Sequence, residues 1–291
     1  PTRPLASAPP HSEPAHPRPQ PTPTGPLSSP GSTAAVTTRP PESGRVLLRL
    51  ALEHLGGEPQ DWWREHHPAS LVASLIPVVP LDERLLSELV EGATRRLGDP
   101  AAIQDLARAL GSVLPQQPAA MRALLYLAGR AAEAEADASL LALLEPILRA
   151  WGQPQWGSDP PGIPDAWAAR AYAAARATGQ RQLRVSLVTA WVARFGAGAA
   201  WLERATEDLF VLRRLPPRAL AALHHARPTA ATWRALASRA PRRLCWPEGS
   251  RDTLDATLQE ALRAEIRPAI RDQLHRWARA LRSETPAATP S

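Results

Sequence analysis

Lysine and asparagine are absent from this chain of 291 residues, which also has one cysteine, one methionine, two phenylalanines and two tyrosines. A lone Cys245 excludes an internal disulfide and any CxxC metal or redox pair, so the fold must stand on packing. A phosphate-cradling Walker loop needs a lysine, and that class falls with it. All 34 positive side chains are therefore arginine. The codons of both missing residues begin with two adenines, so a GC-rich genome is the leading explanation. The functional counterpart is the stronger hold of Arg on phosphates and aromatic faces. Long apolar runs are also missing: Arg, Glu or Pro interrupts every stretch before the roughly 18 residues that span a bilayer, so no membrane is expected as a partner. The chain opens at Pro1 without a basic and then apolar leader, which reads as a cytoplasmic protein trimmed of its initiator Met.

Proline is plentiful, and unevenly placed. Residues 1 to 45 hold 13 of the 33 prolines and no Phe, Trp or Tyr, with Pro17, Pro19, Pro21 and Pro23 at alternate positions. Such a segment buries too little to offset its ordering entropy. Residues 1 to 44 are expected to be a disordered Pro-rich arm with local polyproline character, serving as a tether or as a ligand for a proline-recognising partner.

From Arg45 onward the apolar residues recur with a period near 3.6, and no stretch alternates as a strand does. Helices are predicted at about 45–55, around Trp62 and Trp63, and at 69–76, 81–97, 100–114, 118–135, 138–151, 165–178, 181–195, 198–215, 217–226, 229–240 and 252–283. Asp99-Pro100 is a cap and first-turn pair. The resulting expectation is an all-α fold, an irregular multihelical array or bundle of antiparallel helices. The pairs near 81–114, 118–151 and 165–195 match solenoid repeats in size, but no repeated residue signature such as that of tetratricopeptide units accompanies them.

Charge divides the chain. Residues 46 to 165 carry 9 Arg against 16 acidic side chains, whereas residues 166 to 291 carry 21 Arg against 10. An acidic helical subdomain at 45–155 and a basic one at 156–291 are expected, joined in the Gly- and Pro-rich stretch from Trp151 to Pro164.

The catalytic and metal patterns do not appear. Gly196-Ala197-Gly198 lacks the third glycine of a dinucleotide fingerprint and reads as a helix end. His66 and His67, with Glu65, His54, Glu53, Glu58 and Asp61 nearby, offer mixed ligands but no HExxH pairing, and read as a helix end before Pro68. His224-His225 has no carboxylate within a turn. No serine lies in a GxSxG elbow, and Cys245 has no adjacent His to hold it as thiolate. No enzyme, cofactor or metal is expected.

Arg218 to Ala240 reads as a short helix, a turn ending at Pro228, and a second helix capped by Thr229. The second helix resembles the recognition helix of helix-turn-helix regulators, which implies that Thr229, Thr232, Trp233 and Arg234 read bases while Arg239, Arg242 and Arg243 reach phosphates. The turn departs from that family, with His225-Ala226-Arg227 in place of its glycine and one extra residue. In the last helix Leu254, Leu258, Leu262, Ile266, Ile270, Leu274, Trp277 and Leu281 form an apolar stripe. It is expected to kink at Pro268 and to bury against the body or a second subunit. Beside the stripe run Arg263, Arg267 and Arg271. These features point to a non-enzymatic nucleic-acid-binding or nucleoprotein-assembly protein, with DNA favoured over RNA. The alternative is a helical scaffold or adaptor whose basic half meets an acidic protein partner.

Overall fold

Amphipathic helices follow one another along the chain, each starting where a capping side chain or a proline allows it. The computed structural model describes residues 41–55, 68–151, 162–239, 247 and 249–283, and among these are fourteen helices and no strand. Residues 1–40, and the segment 56–67 with Trp62, Trp63, His66 and His67, lie outside the described residues. Helical structure begins at Pro41, four residues ahead of the expected boundary, with a proline at the first position where its missing N–H costs nothing.

The first eight helices are α1 (Pro41–Leu55), α2 (Pro68–Leu75), α3 (Glu83–Thr94), α4 (Pro100–Val113), α5 (Ala119–Glu133), α6 (Asp137–Trp151), α7 (Asp165–Ala177) and α8 (Arg181–Phe195). Asp82 starts α3 by accepting from Leu85 N at 2.9 Å, and Asp99 starts α4 by accepting from Ala102 N at 3.2 Å. These helices form two layers: α1 packs on α3, α3 on α5 and α5 on α7, while α2 packs on α4, α4 on α6 and α6 on α8. The similar spans of the helical pairs thus correspond to an up-and-down stack. Its core of Leu85, Leu89, Leu106, Leu110, Leu124, Leu140 and Leu144 is closed to solvent, and each such side chain contributes about 1.5–3 kcal/mol.

Close approach within the layers depends on glycine at two places. A Cβ on Gly111 would lie 2.7 Å from Pro146 Cβ of α6, and one on Gly129 would lie 2.6 Å from the Trp167 ring of α7. Polar ties bridge the turns: Leu81 N donates to Gln117 Oε1 at 2.8 Å, and the buried Ser139 hydroxyl donates to Leu97 O at 2.7 Å.

Beyond α8 the helices shorten. The single helix expected at 198–215 is two, α9 (Leu202–Thr206) and α10 (Leu209–Arg214), because Asp208 leaves the helical path to cap α10 through Phe210 N and Val211 N. The same carboxylate meets the buried Arg184 guanidinium and accepts from the Tyr172 hydroxyl at 3.1 Å, which pins α7, α8 and α10 together. Burial, with the Asp208 charge beside it, pushes the Tyr172 hydroxyl well above its usual value. Next come α11 (Pro217–Ala226), α12 (Ala230–Ala237), α13 (Arg251–Ala264) and α14 (Pro268–Ser283).

The helix expected to run through 252–283 with a kink is instead broken at Glu265–Arg267. Proline disfavours helical backbone in the residue before it, and Pro268 becomes the first residue of α14. Ile266 falls in the break and is 89% exposed, so it leaves the expected apolar stripe. The other seven stripe residues are buried within the chain, where α13 and α14 pack on α12 and on each other, so of the two expected alternatives the stripe buries against the body.

The described residues of the acidic and basic halves fall in one compact unit, with α6 lying against both α7 and α8. Among the described residues no helix is long and apolar enough to cross a membrane.

Candidate interaction surfaces

The second helix of the helix-turn-helix reading does form, but its reading face is turned inward. Thr229 is the N-cap of α12, accepting from Thr232 N at 3.2 Å, while Thr232 Oγ1 accepts from Thr229 N at 2.9 Å. This reciprocal capping box satisfies two donors at the helix start. Thr232 is 0% exposed, and its hydroxyl also meets His224 Nδ1 at 3.0 Å. Trp233 is 0% exposed as well: its indole N–H donates to Thr257 Oγ1 at 3.1 Å, and its ring lies between His224 and Trp277. Neither Thr232 nor Trp233 can present an edge to a DNA groove, and the base-reading role expected of them is corrected to a core role.

The arginines of the same segment are mostly engaged. Arg239 donates to the carbonyls of Leu212 (3.2 Å), Arg213 (2.7 Å) and Leu215 (2.5 Å), covering orphan acceptors at the end of α10. Arg227, in the turn, donates to the carbonyls of Ala197, Gly198 and Ala199. Arg234 reaches Glu265 at 3.4 Å, and Arg267 grips the same carboxylate through Nε at 2.8 Å and Nη2 at 2.7 Å, with its backbone N–H adding a third contact at 3.0 Å. Those Arg267 hydrogen bonds overcome the burial of Glu265 and pull its carboxyl down to about 2. Arg263 and Arg271 stand exposed on α13 and α14, among Asp252, Glu260 and Asp272. Arg242 and Arg243 lie outside the described residues. The positive charge of the basic half is thus divided between structural clamps and a mixed outer face.

Of the tryptophans in that half, Trp191, Trp201, Trp233 and Trp277 are buried, and Trp167 is half-buried against Gly129. None of these four offers a stacking platform for unpaired bases. Among the described residues no three His, Cys, Asp or Glu side chains converge to hold a metal ion. The Asp208 carboxylate is engaged by two backbone N–H groups, the Tyr172 hydroxyl and Arg184.

Another concavity among the described residues lies elsewhere, along α3 and α5. It is a groove of about 850 Å³, with Leu86, Val90 and Ala123 as its apolar floor. Glu83 and Glu91 rise from α3, Arg122 and Arg130 from α5, and Tyr126 stands between the arginines, 56% exposed. At 1.5 Å per residue the α3 wall from Glu83 to Arg95 is about 18 Å long, three helical turns. Arg95 pairs with Glu91, and Arg130 pairs with Glu133 at 2.5 Å, whereas Arg122 projects from the middle of the α5 wall with no ion pair among the described residues.

The sequence reading missed this groove. The one available signal was the spacing Arg122, Tyr126, Arg130, a polar and aromatic line at four-residue steps on an otherwise apolar helix. Its other wall is more than 25 residues upstream, and only the stacking of α3 on α5 brings the two together. No protein-family model, curated protein or solved structure matches this chain, so its role has to be argued from these surfaces.

Proposed function

We propose that the chain is a non-enzymatic helical interaction scaffold that receives an amphipathic helix of a partner protein in the α3–α5 groove. The observation that carries this reading is the groove's pair of unlike walls over an apolar floor, with Glu83 and an Arg95-paired Glu91 on one side and Arg122 and Arg130 on the other. A helix laid in an apolar groove is read through anchors at i, i+3, i+4 and i+7, and three turns of such a helix match the groove's length. The complementary ligand has an apolar stripe with an acidic flank facing Arg122 and Arg130 and a basic flank facing Glu83 and Glu91. Charge complementarity of this kind sets orientation and partner choice more than raw affinity.

The test uses three designed helical peptides with the same Leu and Ala stripe: one with an acidic and a basic flank, one with both flanks acidic, one with both basic. Fluorescence anisotropy with the full chain should rank the two-signed peptide first. Tyr126→Ala should weaken it by about tenfold, or 1.4 kcal/mol. Arg122→Glu should abolish the preference. Equal binding of all three peptides, or binding of none, refutes the reading.

Contact with nucleic-acid phosphates is a second reading, favoured by the exposed Arg263, Arg271 and Arg279 on α13 and α14. It requires affinity for duplex or single strands that falls linearly in log-log form with salt. Their interleaving with Asp252, Glu260 and Asp272, and the engagement of Arg234, Arg239 and Arg267 inside the fold, place it behind the scaffold.

A further inference from the structure

The layer that continues through α3, α5 and α7 opens with α1. Both α3 and α5 have a layer neighbour on either side, whereas among the described residues the layer stops at α1. The terminal member of a stacked helical array ordinarily turns polar residues outward, since nothing lies beyond it to cover an apolar face. In α1 the reverse holds. Val46, Leu47 and Leu50 are each about half exposed, and they make up three of the eight large apolar side chains that stand exposed among the described residues. A fourth, Val78, precedes Val79, which lies against Gly44, so it stands beside the first turns of α1.

The arginines of α1 are drawn the other way. Arg45 pairs with Asp82 at the start of α3, and Arg49 reaches Glu88 at 3.9 Å. Leu47 and Leu50 lie about 100–200° round the helix from these arginines, and so face away from α3. In line with them are Ser43, exposed, and His54, half-buried. Ser43, Leu47, Leu50 and His54 are thus spaced by four, three and four residues, the step of a seam between two helices.

That spacing reads the same from either end. Its midpoint falls between Leu48 and Arg49, so a second α1 laid antiparallel sets Leu47 against Leu50 of the other copy and brings each Ser43 to the other copy's His54. Such a contact is isologous, the form that two-fold dimers take. It also continues the packing already present in the layer, with the open face of each α1 covered by the other.

We infer that α1 is a self-association surface through which two copies pair antiparallel, with Leu47 and Leu50 as the seam and Val46 at its rim. The patch is small. A standard interface buries about 800 Å² on each partner, more than a few half-exposed side chains supply, so the dimer belongs to the weak and reversible class. This surface is separate from the α3–α5 groove and does not rest on the scaffold reading.

Sedimentation equilibrium of the full chain from about 5 µM to about 500 µM tests it: the mean mass should rise from monomer toward dimer across that range, as for a Kd of about 10–100 µM. Leu47→Glu combined with Leu50→Glu should leave a monomer throughout, a loss of at least about tenfold in affinity. Both side chains are half exposed, so the double variant should keep its fold, which circular dichroism and thermal melting check. Two single variants, Leu47→Arg and Leu50→Glu, read the register. Each alone should associate more weakly than the natural chain, and their mixture should recover association because the antiparallel seam sets the introduced charges against each other. Arg122→Glu, in the groove, should change nothing. A monomer at every concentration would give the face to another occupant and overturns the inference. So does a dimer that persists in the double variant or is lost with Arg122→Glu, or a mixture that associates no better than its components.

Discussion

Acidification from pH 7 to pH 5 should destabilise this fold by about 2 kcal/mol through a single side chain, His224. The residue is 1% exposed; Nδ1 meets Thr232 Oγ1 at 3.0 Å, Nε2 is buried with no partner, and the ring centroid sits 4.3 Å from the Trp233 centroid with the two rings at 74°. The Thr232 hydroxyl also lies 3.0 Å from Thr229 O, so the ring has one polar partner at Nδ1 and none at Nε2. Burial, helped by the neighbouring His225, pushes this imidazole from 6.5 down to about 3. Above pH 6.5 the ring is neutral in both the folded and unfolded chain, and its titration costs nothing. Below that value the unfolded chain takes up a proton that the fold refuses, and stability falls by about 1.4 kcal/mol per pH unit until about pH 3. Between pH 7 and pH 5 the loss integrates to about 2 kcal/mol, or roughly 4–8 °C in melting temperature for a unit of this size. Urea denaturation at both pH values, on the natural chain and on His224→Leu, measures it. The variant starts from a lower stability at pH 7 because its contact with Thr232 is gone, but it should lose about 2 kcal/mol less on acidification. Equal losses in the two proteins would refute the burial argument.

Two further outcomes follow from packing and from the clamp at the last helix break. Gly129→Ala places a methyl 2.6 Å from the Trp167 ring, so α5 and α7 must separate; denaturation should show a loss of about 1–3 kcal/mol, and Trp167→Leu in the same chain should recover part of it. Glu265→Gln removes the charge that Arg267 and Arg234 share, and should cost about 1–3 kcal/mol at pH 7 by chemical denaturation. Since the Glu265 carboxyl is held near 2, its contribution is complete above about pH 4.5 and is lost as the pH falls through 2; the variant should therefore show a shallower acid loss across that window.

The sequence was most legible where a local rule and the tertiary fold agreed. Asp99-Pro100 announced α4, and Leu85, Leu86 and Leu89 announced the buried face of α3, because capping and helical periodicity are short-range properties that packing then reinforced. It was least legible where periodicity ran on past a break. The stripe from Leu254 to Leu281 keeps its four-residue step through Ile266; Pro268 marks a disturbance there, but whether it kinks the helix or ends it depends on Glu265 turning back to hold Arg267. Thr232 and Trp233 went to the core for a related reason. Thr229 and Thr232 at the first turn of α12 suit either contact with base edges or a capping box, since both uses need small hydroxyls at that spacing. Which face of α12 is buried depends on α13 and α14, and that information is not in the segment itself. The α3–α5 groove was hidden by distance along the chain, not by ambiguity, since neither wall means anything alone.

The two-layer stacking has a consequence for how damage spreads. Among the first eight helices the packing runs within each layer and between the pairs α1–α2, α5–α6 and α7–α8, while α3 and α4 barely meet, and α13 and α14 are joined to the rest chiefly through α12. No single residue is then a keystone for the whole unit, and injuries far apart in the array should add their free energies instead of amplifying one another. Loosening at Gly129 and at Glu265 would be felt by different neighbours, so the C-terminal helices can open or be remodelled while the wall that carries Tyr126 keeps its shape.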